Sequence, residues 1–298
     1  MEFPVSGIET WWWLPVLVSF GVSCITSTAG ISGAFILLPY QVSILGFTAP
    51  GVTPTNLMFN IFAIPGGVYR LYKEKRMVWP LVWTMSLGAL PGLLIGVIIR
   101  VKYIPDAGAF KLFVGCVMLY IAARLFLNIF NKPDTTSDSI GKLNQFEVIP
   151  RLFSINEISY AYNDIEYRIP TISLFIMSSI VGVIGGIYGI GGGAILAPIL
   201  VTMYNLPIHT ISGATLCSTF VSSIVGVLFY VFIGPYFSEE ASSVRPDWLL
   251  GFLLGVGGFF GIYLGARIQK YLPAKTIKIL LGIIMLYIAG RYIIGYFI

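Results

Sequence analysis

KLFVGCVMLYIAAR, residues 111–124, returns as KILLGIIMLYIAGR at residues 278–291, with eight identities in fourteen positions. A second pair lies upstream of these. GISGAFILLP (Gly30–Pro39) is matched by GIGGGAILAP (Gly189–Pro198), six identities in ten. Between the two pairs, Gly88, Gly92 and Gly96 are echoed by Gly257, Gly261 and Gly265. Three blocks repeated in one order mean a duplicated unit. In a strongly apolar chain, duplication is a transporter architecture, with the substrate site expected where the two halves meet.

Composition leads to the same place. Hydrophobic residues make up 57% of the 298 residues and charged residues 10%, well under the roughly 25% that soluble domains carry. No Asp, Glu, Lys or Arg occurs between Thr10 and Tyr69, and Ile169–Ser238 is equally bare apart from His209. About 20 apolar residues cross a bilayer, so each window holds two or more spans. The expected fold is an all-α polytopic protein of the cytoplasmic membrane, with about eight to ten membrane helices in two homologous repeats.

Four apolar segments are expected in each half: 11–46, 51–72, 79–100 and 108–130, then 170–205, 208–236, 248–268 and 275–297. These divide the chain into a first transmembrane repeat (1–130), a connecting loop (131–169) and a second repeat (170–298). The opening segment of each half is too long for one span and is interrupted by glycine, then by Pro39 or Pro198. Glycine costs backbone entropy in a helix and proline removes a donor, so each segment reads as two short helices joined by a break. Within the loop, FEVIPRLF and IEYRI are strand-like and suggest a small hairpin.

The basic residues then set orientation. If both halves cross four times, the Lys and Arg near the spans divide eleven against seven. If each broken segment returns to its starting side, they divide thirteen against five, with the central loop inside. The larger asymmetry favours inverted halves, because Lys and Arg concentrate in cytoplasmic loops. The net charge of +5 thus belongs to lipid headgroups and topology, and no nucleic-acid partner is expected. Cys24, Cys116 and Cys217 have neither CxxC nor metal-ligand spacing and read as packing residues.

The candidate site follows from the breaks. A broken helix leaves unpaired N–H groups at the start of its second piece, where the helix dipole is positive. Such ends bind sulfate- or carboxylate-like groups without a charged side chain. This assigns substrate binding to Gly30, Ser32 and Gly33 in the first half and to Gly189, Gly191, Gly192 and Gly193 in the second; a branched side chain at Gly191 or Gly192 is expected to block the approach. Asn56 and Asn60 share a helix face, and Thr215 and Thr219 stand at matching places, with Ser222 one turn further on. Loss of the Asn56 or Thr215 side chain is expected to lower transport while folding stays near normal. The competing reading of the hydroxyls is ordinary interhelical hydrogen bonding. For Gly88/Gly92/Gly96 and Gly257/Gly261/Gly265, close helix packing is the stronger reading. His209 reads as an interface residue.

GIYGIGGGAILAP (Gly186–Pro198), HTISGATLCSTFVSS (His209–Ser223) and their first-half counterparts GISGAFILLP and GVTPTNLMFN (Gly51–Asn60) resemble the sulfite exporter TauE/SafE family, also called the toluene sulfonate uptake permease superfamily. The likeness covers nearly the whole chain except the central loop. It implies a permease for small anions, often sulfur oxyanions or organosulfonates, commonly working as an exporter; uptake of a similar sulfur-containing or carboxylate anion is the competing reading. Ser32 and Ala34 stand where the second half has glycine, so the halves are not equivalent.

Enzyme chemistry is not expected: one histidine, no carboxylate in any predicted span and no serine in a nucleophile elbow leave nothing to build a metal or hydrolase centre from. No cofactor or metal is expected. A non-transporting scaffold or receptor is the alternative of another class, and either a monomer or a homodimer is compatible. All thirteen Asp and Glu fall in predicted loops or the N-terminal tail, so no carboxylate at membrane depth is available to couple transport to protons or sodium.

Overall fold

The computed structural model describes residues 1–28, 32–75, 77–131, 149–154, 156–162, 165–204, 206–238, 240–268 and 274–298. In the first half these form α1 (Trp13–Thr28), α2 (Ala34–Ser43), α3 (Val52–Ala63), α4 (Pro65–Lys73), α5 (Trp79–Ile98), continued by a π-helical turn (Ile99–Tyr103), and α6 (Ala107–Asn131). The second half supplies α7 (Thr171–Tyr188), α8 (Gly192–Met203), α9 (Ile208–Phe232), α10 (Trp248–Ile268) and α11 (Ala274–Phe297). Six of the described helices are long and apolar enough to cross a membrane. Their outer faces are apolar as well: Trp79, Trp83 and Leu87, spaced one turn apart on α5, are 43%, 54% and 54% exposed. In water such a stripe would be a liability, whereas in hydrocarbon it is the solvated face. The chain is a multi-pass membrane protein.

Both opening segments are broken, as the glycines predict. α7 stops where Gly189 takes φ +82, and Gly191 at φ +77, ψ 158 lies where a side chain is strongly disfavoured. At 10 and 12 residues, α2 and α8 span about 15 and 18 Å, half of a bilayer core.

Glycine sets the helix pairing. Added Cβ atoms at Gly257, Gly261 and Gly265 of α10 would run into the backbones of Val16, Phe20 and Cys24 on α1. Those at Gly88, Gly92 and Gly96 of α5 would meet Phe175, Ser179 and Val183 on α7. In both pairs the contacts climb four residues against four, so the helices run parallel with their backbones in close approach. Gly251 and Gly255 of α10 similarly meet Met58 and Phe62, which makes α3 parallel to α10 and hence to α1. α1 and α3 thus run in the same direction, with α2 between them in the chain.

Two pairs of helices drawn from opposite halves run antiparallel. Gly108, Gly115 and Gly282 lie against Tyr296, Tyr292 and Phe126, so α6 and α11 are antiparallel. Gly226 meets Leu57 while Gly67 meets Leu216, so α3–α4 and α9 are antiparallel as well.

The central segment departs from the expected hairpin. Ile149–Phe153, Glu157–Tyr162 and Ile165–Pro170 form a three-stranded antiparallel sheet, β1-β2-β3; residues 146–148 of the strand-like stretch lie outside the described residues. Tyr160 of β2 is fully buried, stacks on Tyr167 and shares a 2.8 Å hydrogen bond with Thr210 near the start of α9. Burial pushes its phenol up to about 12, so it stays neutral. One of the acids that fall in loops is not exposed to solvent. Asp247, which caps α10 through Leu250 N–H, is wholly buried and accepts from the Ser6 N–H and hydroxyl. It ties the N-terminal tail to the α9–α10 loop.

Candidate functional site

The two breaks meet at one buried polar junction, and α3 joins them. Asn56 is wholly buried and uses its whole side-chain amide. Its Nδ2 donates to Ala34 O at the start of α2 (3.1 Å) and to Gly189 O in the opposite break (3.0 Å), while its Oδ1 accepts from Gln41 Nε2 (3.1 Å). One turn on, Asn60 donates to Ile190 O (3.2 Å) and accepts from Ser32 Oγ (3.3 Å). The predicted residues Ser32, Asn56, Asn60 and Gly189 are thus brought together. Gly33 sits against Ser23 and Phe59. Gly30 lies outside the described residues, as do the side chains of His209 and Pro198.

The second break packs on α9. Gly192 N–H donates to Ser222 Oγ (3.0 Å), so Ser222 caps α8 from a neighbouring helix. A Cβ at Gly191 would stand 2.8 Å from the Thr219 methyl, and one at Gly193 would overlap the Thr215 carbonyl oxygen. These glycines are therefore pressed against protein; the space a side chain would need is already filled by α9. Gly192 is the least crowded of them, facing Ala89 Cβ at 2.9 Å. Thr215, Thr219 and Ser222 donate to Ser212, Thr215 and Thr219 carbonyls of their own helix, which leaves the threonine hydroxyls uncommitted to any other helix.

Several participants were not singled out by sequence reasoning. Pro39 lacks an N–H and so leaves the Phe35 carbonyl without its helical donor; Tyr188 of the other half donates to that oxygen at 2.8 Å. Thr53 donates to Ile187 O (3.1 Å). Gln41, the lone amide in FILLPYQVS, was a visible signal because an unpaired amide at membrane depth is costly. Its Oε1, with the hydroxyls of Ser23 and Ser223, is buried without a partner. Arg100, counted from sequence as a loop charge, is fully buried at the end of α5. Its burial was foreshadowed by spacing: it continues the stripe Gly88, Gly92, Gly96 that faces α7.

The junction is closed in this conformation. Asn56, Asn60 and Ser222 have no exposed surface and Thr219 retains 3%. A cavity of about 520 Å³ lies elsewhere, between α2, the start of α6 and the end of α11, with Tyr40, Lys111, Arg291 and Tyr292 in its lining. None of the predicted site residues lines it. No cluster of metal-binding side chains occurs among the described residues.

The sulfite exporter TauE/SafE family signature matches residues 15–292. The chain belongs to this family. It is 23% identical over 287 residues to the probable membrane transporter YunE of Bacillus subtilis, covering 93% of this chain and 96% of that one. It is 20% identical over 276 residues to YjnA of the same organism, also named a probable membrane transporter, covering 91% and 95%. No solved structure matches. This chain is a membrane transporter of the TauE/SafE family, and its polar junction lies within the matched region.

Proposed function

We propose that this transporter exports a small anion, an organosulfonate or sulfur oxyanion such as sulfite or sulfoacetate, through the junction between two inverted halves, and that it is not an enzyme. The observation that carries the reading is the meeting of both helix breaks, one from each half, at a single sealed junction. The start of α8 offers the positive end of a helix dipole there. The Thr215 and Thr219 hydroxyls bond only carbonyls of their own helix, and partnerless polar atoms of Ser23, Gln41 and Ser223 are buried in α1, α2 and α9. Two rigid helix sets that alternate around one shared site fit alternating access.

The inverted sense is supported by the antiparallel crossing of α6 with α11 and of α3–α4 with α9. Equivalent helices related by an axis along the membrane normal would run parallel. An opening segment that returns to its starting side, a reading the parallel run of α1 and α3 supports, is the arrangement with thirteen basic residues inside. Cysteines placed at Lys73 and Ser238 are expected to label from opposite faces of intact cells. Labelling of both from one face would overturn the inverted arrangement.

Charge supplies the drive. An inside-negative potential favours anion exit by about 2.3 kcal/mol per charge per 100 mV, roughly fiftyfold at equilibrium. In proteoliposomes, a potassium–valinomycin potential is expected to change sulfite or sulfoacetate flux, and a pH or sodium gradient at zero potential to leave it unchanged. Flux that follows pH and ignores potential would defeat electrogenic transport; no flux of any tested anion would defeat the functional reading itself.

A further inference from the structure

Arg100 is the residue whose placement the fold does not explain by itself. Its guanidinium is fully buried, 3.9 Å from the centroid of the Phe110 ring. Nε donates to Thr53 Oγ1 (3.3 Å) and Nη1 to the Ile104 carbonyl, while Nη2 is buried with no partner. Among the described residues no carboxylate comes within salt-bridge distance of it, and Asp106 attracts it only at longer range. The acid nearest in sequence, Asp106, commits its Oδ2 to the Ala109 and Gly108 N–H groups (3.0 and 2.8 Å), and chiefly the Ala109 bond holds it below the usual carboxylate range. A cation removed from water without an anion is costly, and burial of this kind persists where the charge is used.

Its neighbours are those of the junction. Thr53, which accepts from Arg100, bonds Ile187 two residues before the break, and its own carbonyl abuts Gly189. Thr53 lies one turn of α3 from Asn56. Tyr230, packed in the same cluster as Val101, donates to Gly186 O (2.7 Å). A π-helical turn at Ile99–Tyr103 ends α5 here, a local widening that is frequent at functional sites. The position matching Arg100 in the second half, four residues after Gly265, is Gln269. At this matched position only the first half carries a cation, on the outer side in the orientation proposed above.

We infer that Arg100 is the charge partner of the transported anion at the outer end of the junction, its free Nη2 receiving the anionic oxygen beside the Thr53 and Tyr230 hydroxyls. This rests on the proposal that the chain carries an anion. Arg binds planar or tetrahedral oxyanions through directed N–H groups, and a single unspent donor in a sealed site is worth more than one facing water.

The test is concentration-dependent sulfite and sulfoacetate flux in proteoliposomes for wild type, Arg100→Gln and Arg100→Lys. The Gln variant is expected to raise the half-saturating concentration about tenfold or more, with a melting temperature equal to or above wild type because an uncompensated buried charge is gone. The Lys variant keeps the charge and is expected to fall between the two. A structural arginine predicts the reverse: a lower melting temperature and an unchanged half-saturating concentration, which would overturn the inference. Where the Gln variant does not fold, wild-type protein carrying 15N-arginine decides. The slowly exchanging guanidinium signal that the Lys variant lacks must shift on sulfite titration, and a signal that stays put overturns the inference. Wild-type protein that moves no anion would instead remove the underlying functional reading.

Discussion

Gly193→Val is expected to destabilise the protein strongly by unseating α8 from α9. A Cβ at this position would overlap the Thr215 carbonyl oxygen and lie 2.7 Å from Thr219 Oγ1. Overpacking usually costs about 1–3 kcal/mol because side chains can shift. Here the obstacle is the backbone of α9, so the cost belongs at or above the top of that range. A loss of 3 kcal/mol corresponds to a fall of about 10 °C in melting temperature for a domain of this size. The control is Gly290→Val on α11, where an added Cβ has nothing within 4 Å; its melting temperature is expected to match wild type. Thermal unfolding in detergent, followed by monodispersity on gel filtration, reads both. A Gly193→Val protein that melts with wild type would show that α8 does not rest on α9.

Asn56→Ala is expected to lower both stability and transport. The sequence alone suggested that only transport would suffer, since an asparagine at membrane depth looked like a substrate ligand. In the fold, its removal strips donors from Ala34 O and Gly189 O and an acceptor from Gln41 Nε2. Leaving a buried polar group unsatisfied costs about 1–3 kcal/mol. Gln41 keeps its bond to Leu37 O, so a total of about 2–6 kcal/mol is expected from the two carbonyls. Thr219→Val provides the contrast, because Thr219 bonds only the Thr215 carbonyl of its own helix; it should melt near wild type. Parallel melting and flux measurements on the two variants test the assignment. Thr219→Val with normal melting and reduced flux places substrate on α9, whereas Asn56→Ala with normal melting would mean that the breaks are not joined through α3.

The repeats determined much of this protein without any coordinates. Eight identities between 111–124 and 278–291, long uncharged windows and glycine–proline interruptions fixed a duplicated helical membrane protein with a break in each half. These features were readable because helical span length, the cost of charge in hydrocarbon and the backbone demands of glycine and proline are local properties. Tertiary structure decided what the polar residues do. Asn56 and Asn60 were read as substrate contacts, and in the fold their partners include carbonyls of the opposite half, 133 and 130 residues away in sequence. Gly191 and Gly193 were read as open backbone and are instead seated on Thr219 and Thr215. Arg100 was counted only as one of the basic residues beside the spans, whereas it is buried against the Phe110 ring and bonded to Thr53. The physical reason is common to all three. A residue's type states which partners it requires, and only the packing of distant helices states which partner it receives.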